Sequence, residues 1–286
     1  MANLEISRAK RLDQRVVELM PELSRASGTK LIEQGKVIVN GTIQTKAGFK
    51  LREGDKVVVN FDMSSLQDIP TIELEVLYED DDCVVIVKPV GLLTHSKGEF
   101  NPEATVETWL RARIKQPIET PRGGIVHRLD RATSGVMICA KTPDALKWLQ
   151  RQFAQRRTKK TYYAVVSGSL KQPTAIIDMP VERNPKAPAT FRVGHNGKSA
   201  VTHYEVVEEG NGRSLVILQP ETGRTHQLRV HLNHIGNPIV GDTMYGGQKA
   251  ERMLLHAASL ELTLPSRQRK VFKAPLPADF AEALHA

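Results

Sequence analysis

Residues 123–142, GGIVHRLDRATSGVMICAKT, set the tightest limit on how this chain can fold. Two glycines lead into a charged turn, His127-Arg128-Leu129-Asp130-Arg131, and Thr133-Ser134-Gly135 closes it before an apolar run from Val136 to Ala140. That order reads as loop and then strand. Asp130 stands between two arginines, and nearby positive charge favours the charged form of a carboxylate. Such a group is poised to act as a nucleophile or a base. The plainer reading of the same residues is an Asp in a surface turn, with Gly135 supplying an unusual backbone angle.

The 286 residues have room for two domains, each able to bury a core. A formal charge of +8 and a pI near 9.5 suit a polyanionic partner bound through phosphate neutralisation. Cys83 and Cys139 each lie inside an apolar run, as small buried hydrophobes do, so neither a disulfide nor a metal pair is expected. No apolar stretch approaches the ~20 residues of a membrane helix, and MANLEISRAKRL lacks the apolar centre of a secretory signal. The expectation is a soluble, cytoplasmic protein, a monomer by default.

Along the chain, Leu12, Val16, Leu19 or Met20, and Leu23 recur at helical spacing within residues 8–23, with Arg8, Lys10, Arg11 and Arg15 toward one end. Ser24 or Ser27 can cap a second helix that carries Leu31 and Ile32 and stops at Gly35. Val37-Ile38-Val39 then meets Asn40-Gly41, a pair that favours a tight hairpin turn, and Lys56 to Val59 forms another strand. Arg8, Lys10, Arg11, Arg25 and Lys30 could grip phosphates, although most charge runs are only solvated faces. Residues 63–71 have neither period and read as a linker, which divides the chain into domains at 1–65 and 66–286.

In the second domain, Leu74–Val76 and Cys83–Val87 read as strands, residues 104–115 and 143–154 as helices, and 181–197 as a long loop. The basic run 151–160 leads into Thr161-Tyr162-Tyr163-Ala164-Val165-Val166, a strand in which one tyrosine packs and the other faces a cleft. Residues 201–207 and 213–219 read as a strand pair, followed by Glu221-Thr222-Gly223-Arg224-Thr225-His226-Gln227-Leu228-Arg229-Val230-His231. If that segment is extended, Arg224 and Arg229 point to opposite faces and cannot share a job.

The run His127-Arg128-Leu129-Asp130, two residues, then Thr133-Ser134-Gly135 and Ala140-Lys141 resembles the signature of RluA-type pseudouridine synthases. The stretch Glu221 to His231, with Gly236, Pro238, Gly241-Asp242 and Tyr245-Gly246, is a second match, and VVIVKPVGLLTH a third. The cadence SRASGTKLIEQGKVIVNG with REGDKVVV resembles the RNA-binding domain first known from ribosomal small-subunit protein four.

The resemblance implies an α+β chain: a small helix-helix-hairpin RNA-binding domain, then a catalytic domain on a mixed, mainly antiparallel sheet with flanking helices. It implies isomerisation of uridine to pseudouridine without cofactor, Asp130 acting at the sugar as nucleophile or base. Tyr162 becomes the active-site tyrosine, with Tyr163 as the fallback, and Arg229 the partner of Asp130. Arg128 would enter the RNA where the uridine was, His127 belongs to the same motif, Arg224 is left for backbone or RNA contacts, and Leu255 for an apolar wall. Ala132 stands where many relatives carry an acidic residue, and the segment after His95 lacks their glycine-rich wording. The expected partner is structured RNA, ribosomal RNA of the large subunit first and transfer RNA second.

Two other readings compete. His226, His231, His234 and His256 invite a metal-dependent hydrolase, although no carboxylate sits at metalloprotease spacing. A non-catalytic ribosome-assembly factor would show decay at the chemical positions, whereas Asp130, Tyr162 and Arg229 are all present.

Overall fold

The computed structural model describes residues 10–21, 23, 25–61, 70–95, 103–120 and 122–285. Arg8, Ser24, residues 63–69 of the linker and the segment 96–102 after His95 fall outside them. Residues 1–72 with 95–109 make one compact unit, and 73–94 with 110–286 a second.

In the first unit, helices α1 (Leu12–Leu19) and α2 (Arg25–Glu33) share a core with β1 (Val37–Val39), β2 (Thr42–Ile43) and β3 (Val57–Val59), paired antiparallel in the order β2-β1-β3. Leu12 and Val16 of α1 meet Leu31 and Ile32 of α2, and Val37, Val39 and Val57 close the cluster from the sheet. The hairpin turn is the expected one, with φ of 50° at Asn40 and 82° at Gly41. Arg11 and Arg25 both hold the buried Asp13 carboxylate, and Lys10 and Arg15 both hold Glu18. Much of the basic end of this unit is therefore organised by its own acids.

The remaining elements follow in chain order: β4 (Glu75–Glu79), β5 (Cys83–Lys88), α3 (Val106–Arg111), β6 (Ser134–Ala140), α4 (Pro143–Ala154), β7 (Lys159–Ser167), β8 (Thr174–Asp178), β9 (Val181–Arg183), β10 (Phe191–Val193), β11 (Val201–Gly210), β12 (Arg213–Pro220), α5 (Gln227–His234), β13 (Leu255–Thr263), β14 (Arg269–Lys273) and α6 (Asp279–His285). Nine strands form one sheet in the order β4-β5-β6-β13-β7-β12-β11-β8, with β14 beside β13. Only the β6–β13 pairing in it is parallel. Among the described residues, no helix is long and apolar enough to cross a membrane.

Thr142 caps α4 by accepting from Ala145 N at 3.2 Å, with Pro143 in the first turn. Leu146 and Leu149 of α4 then pack on Val136, Ile138 and Ala140 of β6. On β7, the pleat sends Ala164 and Val166 toward Leu228 and Leu232 of α5, and Val165 toward Phe280 and Leu284 of α6. The same parity separates the two tyrosines: Tyr162 packs with the α5 cluster and Tyr163 with the α6 cluster.

Three expectations are corrected. The helix read over 104–115 is confined to Val106–Arg111. The supposed loop 181–197 contains an antiparallel hairpin of β9 and β10. The segment after Glu221 is not extended. Its apolar residues Leu228, Val230 and Leu232 alternate as in a strand, yet the chain turns at His226, with φ of 57°, and continues as α5. Alternation could mislead because α5 is buried nearly all round, its polar residues being satisfied internally. Gln227, for example, accepts from Thr222 Oγ1 and Arg224 N and donates to Val201 O and Thr202 Oγ1.

Gly135 permits the parallel contact that joins the two halves of the large sheet. Its φ is 118°, and a Cβ there would lie 2.2 Å from Ala257 O. Gly135→Ala should therefore destabilise the protein by about 3 kcal/mol or more. Urea unfolding checks this against Gly223→Ala, where no heavy atom lies within 4 Å of the added carbon.

Candidate active site

The motif loop that carries Asp130 is clamped on both sides. Before it, Thr94 Oγ1 donates to Leu129 O at 2.8 Å. After it, Lys88 is fully buried, and its ammonium donates to Pro89 O and Leu92 O, both at 2.8 Å, and to Arg131 O at 3.3 Å. Burial pulls the Lys88 amine down to about 7, while the Asp130 charge opposes that shift. Thr133 N donates to Asp130 O at 3.0 Å and closes the turn.

The cation that faces Asp130 is not a sequence neighbour. Arg131 turns away, its Nε donating to Gly91 O at 2.9 Å. Arg229, on α5, brings Nη1 to 3.4 Å from Asp130 Oδ2. Its other nitrogens form a fork on Asp242, Nε to Oδ2 at 2.7 Å and Nη2 to Oδ1 at 2.8 Å. Arg229 also lies over the Tyr245 ring, 4.9 Å from its centroid. His226, at the start of α5, places Nε2 3.8 Å from the same Asp130 oxygen.

One cavity of about 480 Å³ gathers all seven residues singled out from the sequence: His127, Arg128, Asp130, Tyr162, Arg224, Arg229 and Leu255. Their surroundings differ. His127 stacks on Phe153 at 4.5 Å, and its Nε2 accepts from Ile138 N at 3.2 Å. Desolvation, with the Lys160 charge second, pushes that imidazole down to about 3, so it is neutral at pH 7. Burial and then the Asp130 charge raise the Tyr162 phenol well above its usual value, so its hydroxyl keeps its proton. Arg224 Nε donates to Ser199 O at 3.0 Å, Arg128 is exposed, and Leu255 is a buried apolar face. Lys160, drawn down to about 8 by burial, reaches Thr222 O at 3.4 Å.

The histidines read as possible metal ligands go separate ways. His231 is held by Thr202 Oγ1 and Met179 O, and His256 by Ser134 Oγ. Among the described residues, no three His, Cys, Asp or Glu side chains are grouped to hold a metal ion. Sequence reasoning gave no role to Asp242, Tyr245, Lys88 or Thr94, and read His226 only as a possible metal ligand. The first two stood in the matched stretch, but only the fold brings them beside Arg229.

A family model described as RNA pseudouridylate synthase matches residues 82–234, spanning the Asp130 loop and α5. The chain belongs to that family. An S4 domain model matches residues 10–57, the two helices and the hairpin of the first unit. The synthase is 38% identical to ribosomal large subunit pseudouridine synthase D of Nitrosomonas europaea, over 96% of this chain and 84% of that protein. It is 36% identical to the protein of the same name from Pasteurella multocida, over 100% of this chain and 94% of the other. Human RNA pseudouridylate synthase domain containing 1 is similar in structure, with a TM-score of 0.61 and 27% identity, covering 74% of this chain and 94% of its own. This synthase is therefore an RNA-modifying isomerase with an N-terminal RNA-binding module.

The Arg229 side chain is 8% exposed and that of Asp242 1%, so removing one partner strands the other charge. Asp242→Ala should cost about 3–5 kcal/mol of stability. The double variant Arg229→Met/Asp242→Leu should recover most of it, as chemical denaturation would measure.

Proposed function

We propose that this synthase converts specific uridines of large-subunit ribosomal RNA to pseudouridine, with Asp130 acting at the ribose and no cofactor taking part. The observation that carries the reading is the carboxylate of Asp130 in the cavity, faced through one oxygen by an arginine whose Nε and Nη2 already hold Asp242. That arrangement aims Asp130 without neutralising it by proton transfer, since a guanidinium does not give up its proton in proteins.

The chemistry must break the bond between ribose C1′ and uracil N1, turn the base, join C1′ to C5, and move the C5 proton to N1 or solvent. Electrons balance with nothing oxidised or reduced, so the reaction has no need of a redox or group-carrying cofactor. Asp130 supplies either the oxygen that attacks C1′ or the base that takes the neighbouring C2′ proton. Tyr162 offers an aromatic face to the uracil and a protonated hydroxyl for the C5 step. Leu255 offers an apolar wall. The exposed guanidinium of Arg128, on the same loop two residues before Asp130, suits filling the stack that a flipped uridine leaves. His127, engaged with Phe153 and Ile138, serves the cavity by holding the loop more than by touching RNA. Arg224 suits a phosphate or backbone contact.

Ribosomal RNA is favoured over transfer RNA by the names of the relatives, which match nearly the whole chain. In this reading residues 1–65 bind structured RNA and residues 66–286 carry the chemistry.

Pseudouridine mapping by carbodiimide labelling and primer extension, on RNA from a deletion strain complemented with wild-type or Asp130→Asn protein, tests both halves of the reading. Large-subunit sites should return with wild type alone. Sites that return with Asp130→Asn would sink the mechanism, and sites confined to transfer RNA would sink the substrate. Deletion of residues 1–65 should raise KM for ribosomal RNA about tenfold or more, with turnover on a minimal stem-loop retained. Steady-state kinetics on both RNAs reads the difference.

A further inference from the structure

Nothing in the scheme above uses His226, although it stands closer to Asp130 than its distant place in the chain suggests. Its ring is fixed between two aromatics, edge-on to Phe191 at 5.5 Å and to Tyr245 at 5.6 Å. Its hydrogen bonds favour one tautomer. Phe191 N–H donates to Tyr245 Oη at 2.8 Å, and a backbone amide can only donate. The Tyr245 oxygen is an acceptor on that side, and its one proton is used in a hydrogen bond to its other neighbour, His226 Nδ1 at 2.8 Å, only if the imidazole accepts there, which is the arrangement that satisfies the phenol. Nδ1 accepts, so the neutral imidazole carries its proton on Nε2. Nε2 is the atom 3.8 Å from Asp130 Oδ2, the oxygen that Arg229 Nη1 approaches at 3.4 Å.

We propose that His226 is a positioning residue for the isomerisation: its Nε2–H joins Arg229 in holding Asp130 by Oδ2, leaves Oδ1 to act on the ribose, and depends on Tyr245 to keep the proton on Nε2. This deepens the proposed function and rests on Asp130 being the acting carboxylate. The separation of 3.8 Å exceeds a formed hydrogen bond, and such contacts tighten when substrate excludes water from a catalytic site. An uncharged second donor has a chemical advantage over a second cation. It orients the carboxylate while withdrawing less of the electron density that a nucleophile or base needs. Burial lowers the basicity of His226 against the pull of Asp130, which keeps the donor neutral.

The arrangement also spans four elements. Phe191 lies on β10, Tyr245 in the turn that carries Asp242, His226 at the head of α5, and Asp130 in the motif loop. The β9–β10 hairpin thus reaches the reacting carboxylate through two hydrogen bonds and one close approach.

The test is single-turnover isomerisation by the full-length protein, read as tritium release from a large-subunit ribosomal RNA transcript labelled at uridine C5, beside RNA affinity measured by filter binding. His226→Ala should slow the chemical step about 10- to 100-fold, the value of one hydrogen bond to a charged group, with RNA affinity held within about twofold. His226→Gln, whose amide N–H can reach toward the same point, should recover part of the loss. Tyr245→Phe should slow the wild-type background but add nothing to His226→Gln, because an amide has no tautomer to set. If Tyr245→Phe slows both backgrounds equally, Tyr245 only packs and the proposal fails. It fails equally if His226→Ala reacts at the wild-type rate while Asp130→Asn is inactive. Turnover by Asp130→Asn in the same assay would instead overturn the underlying assignment of the carboxylate.

Discussion

A buried guanidinium shared between two carboxylates organises the catalytic unit. Arg229 has almost no contact with water, and its fork on Asp242 engages two of its three nitrogens. Taking such a charge out of water is costly, and only good geometry on both partners offsets that cost. The geometry demands that α5, the turn holding Asp242 and Tyr245, and the Asp130 loop keep a fixed arrangement. The pair therefore contributes specificity of position more than net stability. What it positions is Nη1 of Arg229, aimed at Asp130.

The Asp130 loop meets that demand from the other side. Three backbone carbonyls converge on the buried Lys88 ammonium, and Thr94 holds Leu129. A loop tied at both shoulders loses little further conformational freedom when substrate arrives, which is how a scaffold preorganises a reacting group. Gly135 adds a constraint of its own, since only a residue without Cβ lets β6 approach β13 closely enough to seat the loop beside Tyr162 and Leu255.

Much of this was legible in the sequence where local rules govern. The Asn40-Gly41 turn, the helix from Pro143 to Ala154 and the strand run from Val136 to Ala140 follow from turn chemistry and hydrophobic pattern, and the structure extends that strand back to Ser134. Strand parity put Tyr162 and Tyr163 on opposite faces, and the family resemblance chose Tyr162, which is the one that lines the cavity. Local rules failed at α5, where a buried helix displays apolar residues at every second position. They also failed at Asp130, where Arg128 and Arg131 looked like its partners although Arg131 is spent on Gly91.

The sequence by itself determined the family, the two-part α+β organisation and, through the family resemblance, seven of the residues that line the cavity, because motif spacing and hydrophobic period are properties of the chain. Only the tertiary structure decided which arginine faces Asp130, that Asp242 holds it there, and that Tyr245 meets Nδ1 of His226. These are contacts between segments up to about a hundred residues apart, as Arg229 is 99 residues from Asp130. Linear neighbourhood carries no information about them. Their distances and donor directions exist only once the sheet has brought β6, β7 and β13 together and α5 has turned its polar face inward.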